Sequence, residues 1–427
     1  MKETKGGTGY LRPKGYCPRL VDTQLQNLLK VHTVVQLVGP HGAGKTWCAL
    51  SHGKSIVNVT DENNRPILES FPESALSGGQ SPHVIDEWEL IPTIAKTVSL
   101  ASHGSYLLVS SINNHPQDER HLTFAPTVKL WPLTLAESGV SNMSVSLMGL
   151  FSRNFYPMSC PMGLAELSEV LCRGGWARMQ GLGTESTARL LRVQLQTALD
   201  QELLCRGKRL AMALRVAIAQ AACGWQSTYE DRARYMTSHG EKPFSRNTER
   251  DYAEIFHSTY LTYRIEGWRA PIRSVSRVRF KPRTQFVDPS IPATLLSHTP
   301  ETLLQDAPTL LELLRCLVLR DLNVYASILD AKASPTVRYY ADSDGARADA
   351  VVTLSDGRWG AINVAIGEGQ FEDASRGLCR LRSKLQKNPE STCPEPEFLA
   401  VVMGSCNRPR LDRRTGVYVF PVGCLTV

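Results

Sequence analysis

Residues 39–46 read Gly39-Pro40-His41-Gly42-Ala43-Gly44-Lys45-Thr46, a complete G-x-x-x-x-G-K-[ST] pattern. It follows the apolar, β-branched run from Thr33 to Val38, and a helix start follows it. A glycine-rich turn between strand and helix points successive backbone N–H groups at one spot, where the helix dipole adds positive potential. Such a cradle takes phosphate. Lys45 would reach the β- and γ-phosphates of a nucleoside triphosphate, and the Thr46 hydroxyl would ligate Mg²⁺. The rival reading, a glycine-rich structural turn, leaves the strand in front and the helix behind unexplained. The expected fold class is therefore α/β, a P-loop NTPase built on a parallel sheet.

The remaining motifs extend this sheet. Ser55 to Val59 reads as a second strand, and Pro82-His83-Val84-Ile85-Asp86-Glu87-Trp88 as a strand ending in two carboxylates. At the strand tip Asp86 would share the Mg²⁺ shell with Thr46, and Glu87 would polarise the water that attacks the γ-phosphate. Tyr106 to Ser111 (YLLVSS) is the next strand, expected to lie between the other two, so a hydroxyl at its tip faces the γ-phosphate. Ser111 is the candidate sensor, with Ser110 and Asn113 as substitutes, against the reading of an ordinary serine loop. Val128-Lys129-Leu130 ahead of Pro132 makes a fifth strand.

Size and composition set the frame. A chain of 427 residues holds two to four domains. No apolar run approaches the ~18–20 residues that cross a bilayer, and the basic N-terminus lacks the apolar core of a secretory signal. The eleven cysteines include no C-x-x-C pair. That argues against a disulfide framework or a zinc site and for a reducing, cytoplasmic setting.

Charge is concentrated. Between residues 201 and 290 there are 16 Lys+Arg against 9 Asp+Glu, a surplus equal to the +7 of the whole chain. An amphipathic helix at 208–222 is followed by polar turn residues. Ser245 then caps a helix at 246–257 with Tyr252, Ile255, Phe256, Tyr260 and Leu261 on one stripe. From Trp268 to Arg283 there are six basic residues and no acid. Period-two alternation would put Arg277, Arg279, Lys281 and Arg283 on one strand face. Helix, turn, capped helix and basic hairpin describe a winged helix. Arg246 and Arg250, with the four wing cations, are its candidate contacts to double-stranded DNA. The alternative is an internal module whose arginines pair with other parts of the chain.

Several ordered motifs resemble one family, the bacterial and archaeal AAA-type ATPases with a C-terminal domain of unknown function and a restriction-endonuclease-like core. They are Pro18-Arg19-Leu20-Val21-Asp22, Gly-Lys-Thr-Trp at 44–47 and Ile85-Asp86-Glu87-Trp88. Pro132-Leu133-Thr134-Leu135-Ala136-Glu137-Ser138-Gly139 and Gly174-Gly175-Trp176 follow. The resemblance runs from about residue 15 to the C-terminus and implies ATP as the nucleotide. It also implies a helical lid or linker around 151–200, a winged helix, and a nuclease-like C-terminal fold. The expected divisions are 1–145 (ATPase), 146–204 (helical lid), 205–290 (winged helix) and 291–427 (nuclease-like).

Two departures accompany it. The family's third strand usually ends in Thr-Gly-Ser, where this chain has Val109-Ser110-Ser111. An arginine expected near Phe124 has its nearest counterpart in Arg120, which would make turnover slow. In the last domain the helical Glu of an active nuclease matches Arg315. The strand Asp is Asp349, and Glu-x-Lys matches Asn363-Val364-Ala365. One acid of three cannot gather a divalent metal, so Asp349 and Arg315 are expected to form an internal ion pair and no DNA cleavage is expected. The chain thus reads as an ATP-binding protein, a Mg²⁺-dependent ATP hydrolase acting as a switch. The alternative is a DNA-binding regulator that uses ATP only as a conformational ligand. A protein partner or self-association is a further candidate, and a membrane is not.

Overall fold

The computed structural model describes residues 9–427 except 102, 114–121, 123, 271–280, 331–336, 388–394 and 407. Its first half is a five-stranded, all-parallel sheet formed by β1 (Val34–Val38), β2 (Ser55–Asn58), β3 (His83–Asp86), β4 (Tyr106–Ser110) and β5 (Thr127–Lys129). The spatial order is β2-β3-β4-β1-β5, so β4 lies between β1, which leads into the glycine-rich loop, and β3, which ends at Asp86. Alternate residues of each strand enter opposite cores. Val35, Leu37, Val84, Leu107 and Val109 pack beneath α1 (Asp22–Val31) and α2 (Lys45–His52). Val34, Ile85 and Leu108 meet Leu68 of α3 (Arg65–Ser70) and Ile94 and Val98 of α4 (Thr93–Ser99) on the other face. Burial on both faces explains why these strands read as continuous apolar runs.

After β6 (Val145–Ser146) the chain is helical through α5 (Leu147–Phe151), α6 (Leu164–Arg173), α7 (Thr184–Cys205) and α8 (Leu210–Cys223). Then come α9 (Tyr229–Ser238), α10 (Arg246–Ser258) and an antiparallel pair, β7 (Thr262–Ile265) with β8 (Arg283–Phe286). Ser245 caps α10 through Thr248 N, and Tyr252, Ile255 and Phe256 are buried, as the stripe predicts. The segment expected to be only polar turns contains α9. Thr228 and Asp231 close a capping box at its start, and Met236 is its one buried residue, so no apolar period betrays it.

Helices α11 (Ser290–Leu295), α12 (Pro300–Leu304) and α13 (Ala307–Leu329) lead to a six-stranded mixed sheet. Its strands are β9 (Val337–Ala341), β10 (Arg347–Thr353), β11 (Trp359–Ala365), β12 (Phe398–Met403), β13 (Arg410–Asp412) and β14 (Val417–Pro421), in the order β13-β14-β12-β11-β10-β9. β9, β10 and β11 form an antiparallel meander. After α14 (Phe371–Lys387), β12 joins β11 in parallel. One sheet face packs on α14. The other shares a continuous core with α6, α7, α8 and α13, a core that crosses residues 204 and 290. β15 (Leu425–Thr426) pairs with β6, and Ser146 Oγ donates to Val427 O at 2.6 Å.

The short motifs far apart in sequence meet at two buried ionic junctions. In the first, Arg19 pairs with Glu137 at 3.0 Å and donates to Ala43 O and Trp131 O at 3.0 and 2.7 Å. In the second, Arg320 pairs with Asp288 at 2.7 Å and with Asp321 at 2.8 Å. Asp288 accepts Gly175 N at 2.9 Å, and Asp321 accepts Leu135 N at 3.0 Å. Ser290 receives the Trp176 indole N–H at 2.9 Å. Gly175 has no room for a side chain: a Cβ there would lie 2.2 Å from Leu133 O. Arg320→Met would leave two carboxylates buried without their cation, which costs about 3–5 kcal/mol. Equilibrium urea unfolding should find that loss, and a loss under about 1 kcal/mol would show the junction to be dispensable.

Candidate nucleotide site

The loop between β1 and α2 is shaped by its glycines. Gly39 has φ +154°, and a Cβ on it would sit 2.1 Å from Leu130 O on the neighbouring strand. Gly44, the residue before α2, is left-handed at φ +96°. Ala43 N is bonded within the turn to Pro40 O at 3.2 Å. The amides of Gly42, Gly44, Lys45 and Thr46 have no backbone partner among the described residues. They are the open donors of a helix N-terminus, which favours an anion there.

Lys45 is 6 % exposed, and its ammonium donates to Pro40 O at 3.0 Å. Burial pushes its pKa down to about 8 despite the facing carboxylates of Glu89, Asp86 and Glu87. Thr46 Oγ1 donates to Asp86 Oδ2 at 2.8 Å across the loop. A threonine hydroxyl and a carboxylate brought together beside a buried cation are the oxygen donors that Mg²⁺ accepts, so the residues present fit that ion. Burial raises the Asp86 pKa, which the Thr46 hydrogen bond opposes. Glu87 adopts a left-handed backbone at φ +57°, and burial followed by the Asp86 charge raises its pKa. A non-glycine residue held there is the kind of local strain that clusters at functional sites.

At the tip of β4 the candidate hydroxyls separate. Ser110 Oγ is committed to a local turn, donating to Ile112 O at 2.8 Å and accepting Ile112 N at 3.1 Å. Ser111 instead donates its backbone N–H to Glu89 Oε1 at 2.7 Å, and Asn113 N reaches Ser258 O at 2.5 Å. Arg120 lies outside the described residues.

Three residues of this region escaped the sequence reading. Glu89, 6 % exposed, keeps Oε2 without a partner, and burial raises its pKa to about 7. Gln194 of α7 donates to His41 O at 2.9 Å, setting the helical extension directly on the loop. Arg178 adds to burial and Lys45 in lowering the His41 pKa. The Asp-Glu-x-Glu spacing at 86–89 was a usable signal for Glu89. Nothing local marked the other two.

Of the six DNA-contact candidates, Arg246 and Arg283 have partners within the chain. Arg277 and Arg279 lie outside the described residues. Lys281 precedes β8 rather than lying in it, and Arg283 opens that strand. The Arg283 guanidinium stacks 3.8 Å over Tyr339 and 4.8 Å from Trp225. Aromatic faces thus hold it, and with Lys281, Arg246 and Arg250 it lines one cavity. Arg246 pairs with Glu230 and lies 4.8 Å over Tyr229, while Arg250 is exposed.

In the C-terminal sheet, Arg315 Nε meets Asp349 Oδ2 at 3.4 Å, the predicted pair, and also holds Glu312 at 2.5 Å. Asp349 Oδ2 accepts Val364 N at 2.9 Å, and Asn363 Oδ1 accepts Asp349 N at 2.8 Å. No cluster of metal donors forms there among the described residues. Nor is any described helix long and apolar enough to cross a membrane.

No protein-family model matches the chain, and no curated protein matches it. Among solved structures it is similar to the Walker-type ATPase PABY2304 of Pyrococcus abyssi, at 12 % identity and a TM-score of 0.42, over 66 % of this chain and 97 % of that one. It is also similar to the Aeropyrum pernix ORC2 protein in its ADPNP–ADP complexes, at 12 % identity and a TM-score of 0.31, over 69 % and 98 %. A third is the Aeropyrum pernix ORC1 protein in complex with DNA, at 11 % identity and a TM-score of 0.25, over 69 % and 96 %. Likeness at this level assigns no function.

Glu89 yields a pH test. A carboxyl raised from 4.5 to about 7 contributes stability that is complete below 4.5 and is lost as pH rises through about 7. Glu89→Gln, which keeps an acceptor for Ser111 N, should melt higher than the native chain at pH 8 and no higher at pH 4. An equal difference at both pH values would mean that no proton is held there.

Proposed function

We propose that the chain binds ATP with Mg²⁺ and hydrolyses it slowly, as a nucleotide-controlled switch. The observation that carries this is the loop itself, four open amides around a buried ammonium, with Thr46 and Asp86 hydrogen-bonded beside it. Lys45 would exchange Pro40 O for a phosphate oxygen, and added negative charge would offset the burial that weakens its protonated form. Thr46 and Asp86 would hold Mg²⁺, which supplies positive charge to the β- and γ-phosphate oxygens. Glu87, its basicity increased by burial, would orient a water and take its proton. Ser111, its main chain fixed through Glu89, is the hydroxyl proposed to face the γ-phosphate.

Lys45→Ala should abolish nucleotide binding or weaken it severely, read by equilibrium dialysis. Glu87→Gln should bind ATP as before while turnover falls by about 10²–10⁴-fold. Equal loss of binding in both variants would refute the assigned roles.

The C-terminal unit is proposed to be a nuclease-like fold that has lost its cutting chemistry. What supports this is the meeting of the three slots, Arg315 on α13, Asp349 on β10 and Asn363 on β11, with the remaining acid committed to a cation and an amide. Supercoiled DNA incubated with Mg²⁺ or Mn²⁺ should remain intact, and nicking that disappears in Asp349→Ala would overturn the proposal. The alternative of a DNA-binding regulator draws on the basic surplus of 201–290. It is the weaker reading, because Arg232, Arg246 and Arg264 are matched to Glu249, Glu230 and Glu254.

A further inference from the structure

A thiol, an imidazole, a carboxylate and a phenol converge on the far side of α2. Asp22 opens α1, and Cys48 and His52 are one turn apart on α2 and so share a face. Asp22 Oδ1 lies 2.7 Å from the Tyr16 hydroxyl, 3.0 Å from His52 Nε2 and 3.6 Å from Cys48 Sγ. Its other oxygen accepts Arg19 N at 2.8 Å. Three donors thus crowd one oxygen that offers two lone pairs. The Asp22, Cys48 and His52 donor atoms all lie within 4.8 Å of one another, a grouping unique among the described residues.

That spacing suits a tetrahedral ion. Zinc, with its usual bond lengths to nitrogen, oxygen and sulfur, sets its ligand atoms about 3.3–3.6 Å apart. The Cys48–Asp22 edge already has this length, and the His52–Asp22 edge needs to open by only a few tenths of an ångström. We propose that Asp22, Cys48 and His52 form a binding site for a zinc-class divalent metal, with water in the fourth position and the Tyr16 hydroxyl kept as a hydrogen-bond donor to Asp22. The mixed sulfur, nitrogen and oxygen set selects a borderline-soft ion over Mg²⁺ or Ca²⁺.

As the metal–sulfur bond forms, the Cys48 proton passes to solvent. Thiolate and carboxylate then cancel the charge of the ion, which suits a sulfur on a fully buried residue. His52 and Asp22, with side chains 14 % and 22 % exposed, leave a path for entry. Cys48 sits about 200° around α2 from Thr46, so the site is distinct from the proposed magnesium position and does not rest on the nucleotide assignment. A bound ion would clamp the start of α1 to the helix that carries Lys45 and Thr46.

The test is titration of the metal-stripped, nucleotide-free chain with Co²⁺, followed by absorption. The expected result is one ion per chain, with intense visible bands of tetrahedral cobalt and a thiolate-to-cobalt charge-transfer band. Zn²⁺ should erase the spectrum and excess Mg²⁺ should leave it. Cys48→Ser should remove the charge-transfer band. His52→Gln should weaken binding by at least ~100-fold, the upper end of what outer partners alone contribute. It decides the matter should Cys48→Ser not fold. Absence of a charge-transfer band in the native chain, its persistence in Cys48→Ser, or unchanged affinity in His52→Gln would overturn the proposal.

Discussion

The glycine-rich loop between β1 and α2 is held from behind by one buried charge. Arg19 spans Glu137, Ala43 O and Trp131 O from a position that is almost wholly buried. One guanidinium therefore ties the segment before α1, the loop itself and the exit of β5 into a single corner. Burying such a pair costs several kcal/mol of desolvation, and only a full set of hydrogen bonds makes it tolerable. Glu137 meets that condition by also accepting Leu20 N and Thr134 N, both at 2.9 Å. What the pair contributes is position, since the loop carbonyl cannot move without opening a buried ionic contact.

A second corner repeats the design one layer deeper. Arg320 on α13 joins Asp288 and Asp321, and through them the backbone of Gly175 and Leu135. Leu135 is two residues from Glu137 in sequence, so the two junctions are linked by a single short stretch of main chain. The loop, the helical extension and the C-terminal sheet are consequently held together through polar contacts as well as through their shared apolar core.

Much of this was legible in the residues. The parallel sheet could be read because its strands are buried on both sides and appear as short β-branched runs punctuated by glycine or acid. The loop was legible because its chemistry is local, eight consecutive residues with fixed roles. Asp349 with Arg315 could be read because the departure from the catalytic pattern put a cation where an acid was expected. Helix α9 was not legible, because a helix with one buried residue carries no period. That arginines of this segment pair within the chain was one of the two readings, but the partners of Arg283 escaped, since Trp225 and Tyr339 reach it from distant parts of the chain. Glu89 looked like one more solvated acid at a strand end. Only the fold reveals that Ser111 N and a buried wall enclose it.

Gln194 gives the loop a mechanical reach beyond its own size. Its amide grips His41 O near the middle of α7, a helix of 22 residues. Each arm of that helix extends about 16 Å from the grip. Leu191, Leu195, Leu199 and Leu203 sink its length into the shared core, so the helix cannot tilt without that core. Helix α7 is thus a splint that carries any displacement of the His41 carbonyl into the shared core through one side-chain amide.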